Sequence, residues 1–280
     1  LPGTNYSPES LNASADGSLF VGSLTTGEVV KFAPDSLDFT SFVPAGTLHG
    51  ATGVFVDDST GTLFVCEVDV TGANPSDLRS FDLTTGAAKT TYTFPSAAFC
   101  NDMAFDTEHN LYVTDSTGSI YVLPHGSAST TLALWKSDPL LQPSSASGFG
   151  ADGIVYDGVG ALYVTAISDS RLLKIPVNAD GSAGAVTQLT VTPAISGPDG
   201  MRLIDANTVI VVEGGHNVTT VAISGNSATS TVISNRMDNP TSLVKVGNDY
   251  FVSEGQLGHL LGTLAGPPNL PFLVQRIPAP

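Results

Sequence analysis

Apolar and polar positions along this chain follow strand spacing, not helical spacing. Short runs rich in Val, Ile, Leu, Tyr and Phe are bounded by Gly, Asp, Asn and Ser, the signature of strands joined by tight turns. One unit recurs: a polar entry, a short apolar strand, a turn, and a second strand that closes near an acid. It is clearest at residues 197–213, where Pro198-Asp199-Gly200-Met201 opens the first strand and Val209-Ile210-Val211-Val212 forms the second. Copies stand at 151–165 and 101–114, with looser ones at 51–65, 8–21 and 240–252. They align on the apolar pairs Phe20-Val21, Phe64-Val65, Tyr112-Val113, Tyr163-Val164, Ile210-Val211 and Phe251-Val252, roughly 41 to 51 residues apart, which is a repeat array.

Each pair is followed by a turn and a third strand, as at 27–32 and 171–177, and most units close on a fourth apolar run, as at 90–94 and 185–189. Four antiparallel strands in each of six units predict an all-β fold, a six-bladed β-propeller, built as a single domain over residues 1–280. Blade 6 is expected to finish with residues 257–264 and 272–277. Residues 134–148, which carry the only tryptophan, Trp135, read as a surface excursion between blades 3 and 4.

Composition narrows the class of function. A net charge of −16 argues against nucleic acid, whose phosphates need a basic patch, and suits a protein that holds a cation. No run approaches the length of a membrane-spanning helix. Asn5, Asn12 and Asn217 open glycosylation acceptor triplets, cysteines number two, and lysine is scarce; no signal peptide is visible at Leu1, and a secreted glycoprotein is expected.

The first strands of a propeller line its channel, so the residues that open them point at one place. Counting back from the anchor pairs places Glu9, Thr52, Asn101, Asp152, Asp199 and Pro240 in that column. Acids are 26 of 280 residues, so fewer than one is expected among six positions, and here there are three beside an Asn. Carboxylates converging in a narrow space repel unless something neutralises them, and a hard cation with oxygen ligands does so. Ca2+, or another divalent cation, is therefore expected on Glu9, Asn101, Asp152 and Asp199, with waters or substrate completing the shell. The plainer alternative is that these side chains bond to backbone amides at strand ends. A second column, Ser23, Glu67, Asp115, Ala166, Glu213 and Glu254, stands three residues after each anchor and reads either as support for ligands and rim amides or as solvated strand ends.

These segments resemble the gluconolactonase/regucalcin family of six-bladed propellers and, more distantly, paraoxonases and the squid-type diisopropylfluorophosphatase. Pro198-Asp199-Gly200-Met201 matches the family segment whose Asp binds the metal and is proposed as base or nucleophile. Ala151-Asp152-Gly153 stands where the family usually has Pro-Asn-Gly. Asn101 matches a ligand or substrate contact, Asp102 resembles an acid beside the metal in the phosphatase, and Glu9 matches the amino-terminal ligand. The family's Gly-Pro-x-Trp after that Glu is here Ser10-Leu11-Asn12-Ala13, so the family's specificity contacts are not carried over at these positions. His49-Gly50 resembles the paraoxonase His-Gly, whose His is a proposed base; the second paraoxonase histidine has no counterpart, and Glu67 and Asp69 stand in its region. A lone His near a channel also serves as a structural hydrogen-bonder, so both roles stay open for His49, and His216 could line the channel mouth. His109, His125 and His259 read as surface residues.

No His/Cys spacing suggests zinc and no Gly-x-Ser-x-Gly is present. Cys66 and Cys100 map to the same end of adjacent blades, so a disulfide is expected, with two buried thiols as the alternative. The expected function is calcium-dependent hydrolysis of a small lactone or ester, with Asp199, Asp102 and His49 as catalytic candidates. Two alternatives remain on the same fold. One is a cyclase or condensing enzyme of secondary metabolism, like fungal hetero-Diels–Alderases or strictosidine synthase; the other is a non-catalytic ligand binder.

Overall fold

The computed structural model describes residues 1–280. It is an all-β six-bladed β-propeller, each blade an antiparallel sheet whose strands follow one another in sequence order, apart from one parallel strand added at the outer edge of blade 5. The chain divides into two compact units. Leu1–Tyr92 with Met237–Pro280 holds blades 6, 1 and 2, and Thr93–Arg236 holds blades 3, 4 and 5. Within the first unit, the first strand of blade 1 (Pro8–Ala13) lies between those of blade 2 (Ala51–Asp57) and blade 6 (Pro240–Val246). Within the second, the first strand of blade 4 (Ala151–Tyr156) lies between those of blade 3 (Cys100–Phe105) and blade 5 (Pro198–Asp205).

The core is a set of apolar layers between neighbouring blades. Tyr112 and Ile120 of blade 3 pack with Ile154, Leu162 and Val164 of blade 4; Tyr163 and Leu172 of blade 4 pack with Met201, Val209 and Val211 of blade 5. Burying each aliphatic side chain contributes roughly 1.5–3 kcal/mol, and a blade alone would leave both its faces wet. This is why the repeats must stack.

Every first strand carries a β-bulge at the same place. Pro198 pairs with Glu213 and Met201 with Val211, so Asp199 and Gly200 face a single partner residue, and the same offset recurs at Glu9-Ser10, Thr52-Gly53, Asn101-Asp102 and Asp152-Gly153. An inserted residue bends the strand and re-aims side chains, so the bulge is what turns the first column away from regular alternation. In blade 6 the extra residue is Thr241, since Pro240 pairs with Glu254. Thr241, not Pro240, therefore holds that blade's place in the column; counting from the anchor missed the shorter bulge.

The second column is structural. Glu67, Asp115, Glu213 and Glu254 accept hydrogen bonds from the backbone amides of His49, Phe99, Ser196 and Asp238 (3.1, 2.8, 2.6 and 2.8 Å), which lead into the first strands. These carboxylates satisfy entry amides that no ladder reaches.

Three expectations are corrected. Residues 257–264 form no strand: Leu257–Leu260 is a single helical turn, and blade 6 has three strands, closed by Val274–Pro278. Trp135 is not on an excursion but in the fourth strand of blade 3 (Ala133–Ser137), against the Tyr112 ring at 4.8 Å, and its indole donates to the Gly181 carbonyl. Blade 5 gains a fifth strand, Thr190–Thr192, parallel to Ser227–Ser234.

Candidate functional site

Asn101, Asp102, Asp152 and Asp199 come together in the second unit, each on a bulge and each under a tenth exposed. The Asn101 amide donates to Asp152 Oδ2 (2.9 Å) and to Ser116 Oγ (3.0 Å), and Ser116 in turn donates to the Ala151 carbonyl. Thr114 Oγ1 donates to the Asp152 carbonyl (2.6 Å) and Thr165 Oγ1 to the Asp199 carbonyl (3.0 Å). Each threonine thus fixes, from one blade, the bulged backbone of an acid on the next. Gly153 allows the closest approach: a Cβ there would meet the Asp199 carbonyl oxygen at 2.6 Å.

Charge is unevenly matched. Asp102 Oδ2 accepts from Arg202 Nη1 at 3.1 Å, a pair in which both side chains are largely buried. Asp102 Oδ1 and Asp152 Oδ1 are buried with no hydrogen-bond partner. Burial pushes the Asp152 carboxyl up from 3.8 to about 7, and the Asp102 charge adds to this; a hydrogen bond shared with Asp199 and those from the Asn101 amide and the Gly153 backbone pull the other way. A carboxyl raised on folding stabilises the fold while it is protonated, and that contribution is lost as pH rises through the folded value. Chelator-treated protein is therefore expected to lose stability between about pH 4 and 7, by up to about 1.4 kcal/mol per pH unit. Asp152→Asn should flatten the profile. Urea denaturation at a series of pH values measures this, and an unchanged slope in the variant would contradict the assignment.

The cluster suits a hard dication. Its donors are all oxygen, two carboxylate oxygens lack partners, and three carboxylates against one guanidinium leave two negative charges to be met. No three Asp, Glu, His or Cys side chains are grouped as a ready-made cage. An ion here would take Asp152, Asp199 and the Asn101 amide from this unit and fill the rest of its shell with water or substrate.

Glu9 and His49 lie in the first unit. Glu9 is buried on the bulge of blade 1. The His49 ring is half exposed, with Nδ1 2.8 Å from Glu67 Oε1, and Glu67 Oε2 is held by Arg79 Nη1 at 2.6 Å. The backbone amide and the ring of His49 thus share one carboxylate oxygen, which fixes the ring. His216 is an exposed turn residue. His109 stacks on Phe105 with His125 beside it, and His259 bonds to the Gly266 carbonyl. Neither cysteine is free: Cys66 and Cys100 form the disulfide. Asn5 is exposed, whereas Asn12 is buried.

Arg202, Thr114 and Thr165 were not singled out in the sequence. Arg202 carried a usable signal, a basic residue inside an apolar strand in a chain with only 10 Lys and Arg. Phe99 and Phe149 form a second missed feature, a partly exposed ring pair with centroids 5.3 Å apart at the entries to blades 3 and 4.

No protein-family model matches the chain, and no curated protein matches it in sequence. Solved structures do match. Virginiamycin B lyase from Staphylococcus aureus, in a catalytically inactive variant with quinupristin, superposes with a TM-score of 0.63 at 14% identity, over 91% of this chain and 80% of that one. The major Malassezia sympodialis allergen Mala s 1 gives 0.69 at 13% identity, over 91% and 89%. A protein assigned the name gluconolactonase gives 0.69 at 14% identity, over 91% and 88%. At such identities the likeness is one of fold.

Proposed function

We propose that this protein is a secreted propeller enzyme that hydrolyses a small lactone or ester at the acid cluster of its second unit, with calcium bound there. The observation that carries the reading is the cluster itself: Asp102, Asp152 and Asp199 buried together on successive bulges, with two carboxylate oxygens unpartnered. Burying three acids is costly, and a fold keeps such an arrangement where the charge is used. The likeness in fold to a lyase and to a protein named gluconolactonase supports an enzyme over a passive binder. The disulfide and the exposed Asn5 acceptor support secretion.

Asp152, Asp199 and Asn101 would hold the ion. Bound calcium supplies a Lewis acid that polarises a carbonyl oxygen. Asp199 takes a proton from water as the water oxygen bonds to the carbonyl carbon, then returns it to the leaving oxygen as the ester bond breaks. Asp152, hydrogen-bonded to Asp199 and with its carboxyl raised toward neutral by burial, sets the charge that Asp199 feels. The Thr114 and Thr165 hydroxyls keep both acids in register. Phe99 and Phe149 offer an apolar surface to the rest of the substrate.

The same acids also suit a lyase, in which Asp199 takes a proton from carbon; the pairing of a raised carboxyl with a second acid favours it as runner-up. Metal analysis of protein purified without chelator is expected to show about one calcium per chain, and a panel of lactones and aryl esters to show calcium-dependent ring opening or cleavage. Absence of both would remove the hydrolase reading, and elimination products in place of hydrolysis would favour the lyase.

A further inference from the structure

Arg202 has no place in the chemistry above, yet it is the basic side chain of the three first strands in this unit. It stands three residues after Asp199 on the blade 5 strand and reaches Asp102 of blade 3, a residue 100 positions earlier. The guanidinium is anchored from its own strand as well, since Nη1 donates to the Met201 carbonyl at 2.7 Å. Its side chain is 13% exposed and that of Asp102 is 7% exposed, so the pair is screened little by water. Asp102 Oδ1 is left without a partner in the interior, as is Asp152 Oδ1. A buried carboxylate with one oxygen on a guanidinium and the other on nothing is only half satisfied.

We propose that Arg202 is the resident cation of the acid cluster: it neutralises Asp102 and so weakens the cluster's hold on a divalent ion. This builds on reading the cluster as a cation site, but its test does not require the native protein to bind calcium. With Arg202 removed, three buried acids face no fixed positive charge, and the unpartnered oxygens of Asp102 and Asp152 become available to an ion. The cluster then becomes a stronger calcium site. Most substitutions of a buried arginine weaken a protein and its ligand binding together; here the expected sign of the binding change is the opposite.

The test is calcium binding by isothermal titration calorimetry to chelator-treated native protein, Arg202→Met, Asp102→Asn and the Asp102→Asn/Arg202→Met double variant, with thermal unfolding measured in parallel with and without calcium. Arg202→Met is expected to bind calcium at least tenfold more tightly than the native chain, or to gain a site where the native chain has none. Its melting temperature should fall in chelator and recover with calcium by more than the native protein gains. Asp102→Asn should bind at least tenfold more weakly, because it removes a negative charge and leaves Arg202 to repel the ion. The double variant, with the same residual charge as the native cluster, should return close to native affinity.

Equal or weaker calcium binding by folded Arg202→Met would overturn the proposal. Should that variant not fold, Asp102→Asn compared with the double variant removes the same cation without stranding an acid. At least tenfold tighter binding by the double variant supports the proposal, and no tightening overturns it. If the native chain binds no calcium but Arg202→Met does, the calcium-dependent reading of the native protein falls while the role of Arg202 stands.

Discussion

Asp199→Asn is expected to reduce turnover of a lactone or ester substrate on the order of 100-fold or more while leaving an ion bound. The side chain is buried on the blade 5 bulge, its backbone carbonyl held by Thr165 Oγ1, so an isosteric amide should keep the local geometry. An amide oxygen can still ligate a cation, but it cannot accept a proton from water or attack as a nucleophile. Asp152→Asn is the contrast. It removes charge at the position where burial already opposes ionisation, so it should weaken calcium binding while much of the turnover survives at saturating calcium. Calorimetry fixes the loaded state of each variant, and initial rates are then compared at full occupancy. Near-native turnover by calcium-loaded Asp199→Asn would show that the cluster acts by orienting its ligand, or only by binding it. The cyclase and ligand-binding alternatives would then come forward.

Removing the disulfide is expected to have the largest effect on stability. Cys66 and Cys100 are both fully buried and bonded, and the loop they close carries the third and fourth strands of blade 2, Asp77–Asp82 and Ala88–Thr93. For a loop of about 35 residues the chain-entropy model assigns about 4 kcal/mol, a large share of the roughly 5–15 kcal/mol that holds a typical domain folded. A Cys66→Ala/Cys100→Ala variant should show that loss in guanidinium denaturation, with the midpoint lowered and the slope little changed. A loss under about 1 kcal/mol would mean that the open chain keeps the two ends together without the bond.

The strand pattern was legible in the sequence because its cause is local. Alternation of apolar and polar residues, turn chemistry at Gly and Asp, and repetition of one unit six times are set by neighbours a few residues apart. They suffice to predict blades, their number and the strands that carry Asn101, Asp152 and Asp199. Even the disulfide could be expected, because Cys66 and Cys100 occupy equivalent ends of consecutive repeats.

What the tertiary structure decided is how those residues are aimed and matched. A bulge shows in sequence only as a count, so Pro240 was placed where Thr241 belongs, and the blade 6 closing segment at 257–260 became a helical turn. The role of the second column was settled by the amides it meets, which no spacing specifies. Above all, the charge of the acid cluster depends on Arg202 meeting Asp102 across 100 residues of chain. Nothing along the sequence marks that pairing. It exists because the first strands of three successive blades pack side by side, and burial then makes each unmatched charge count.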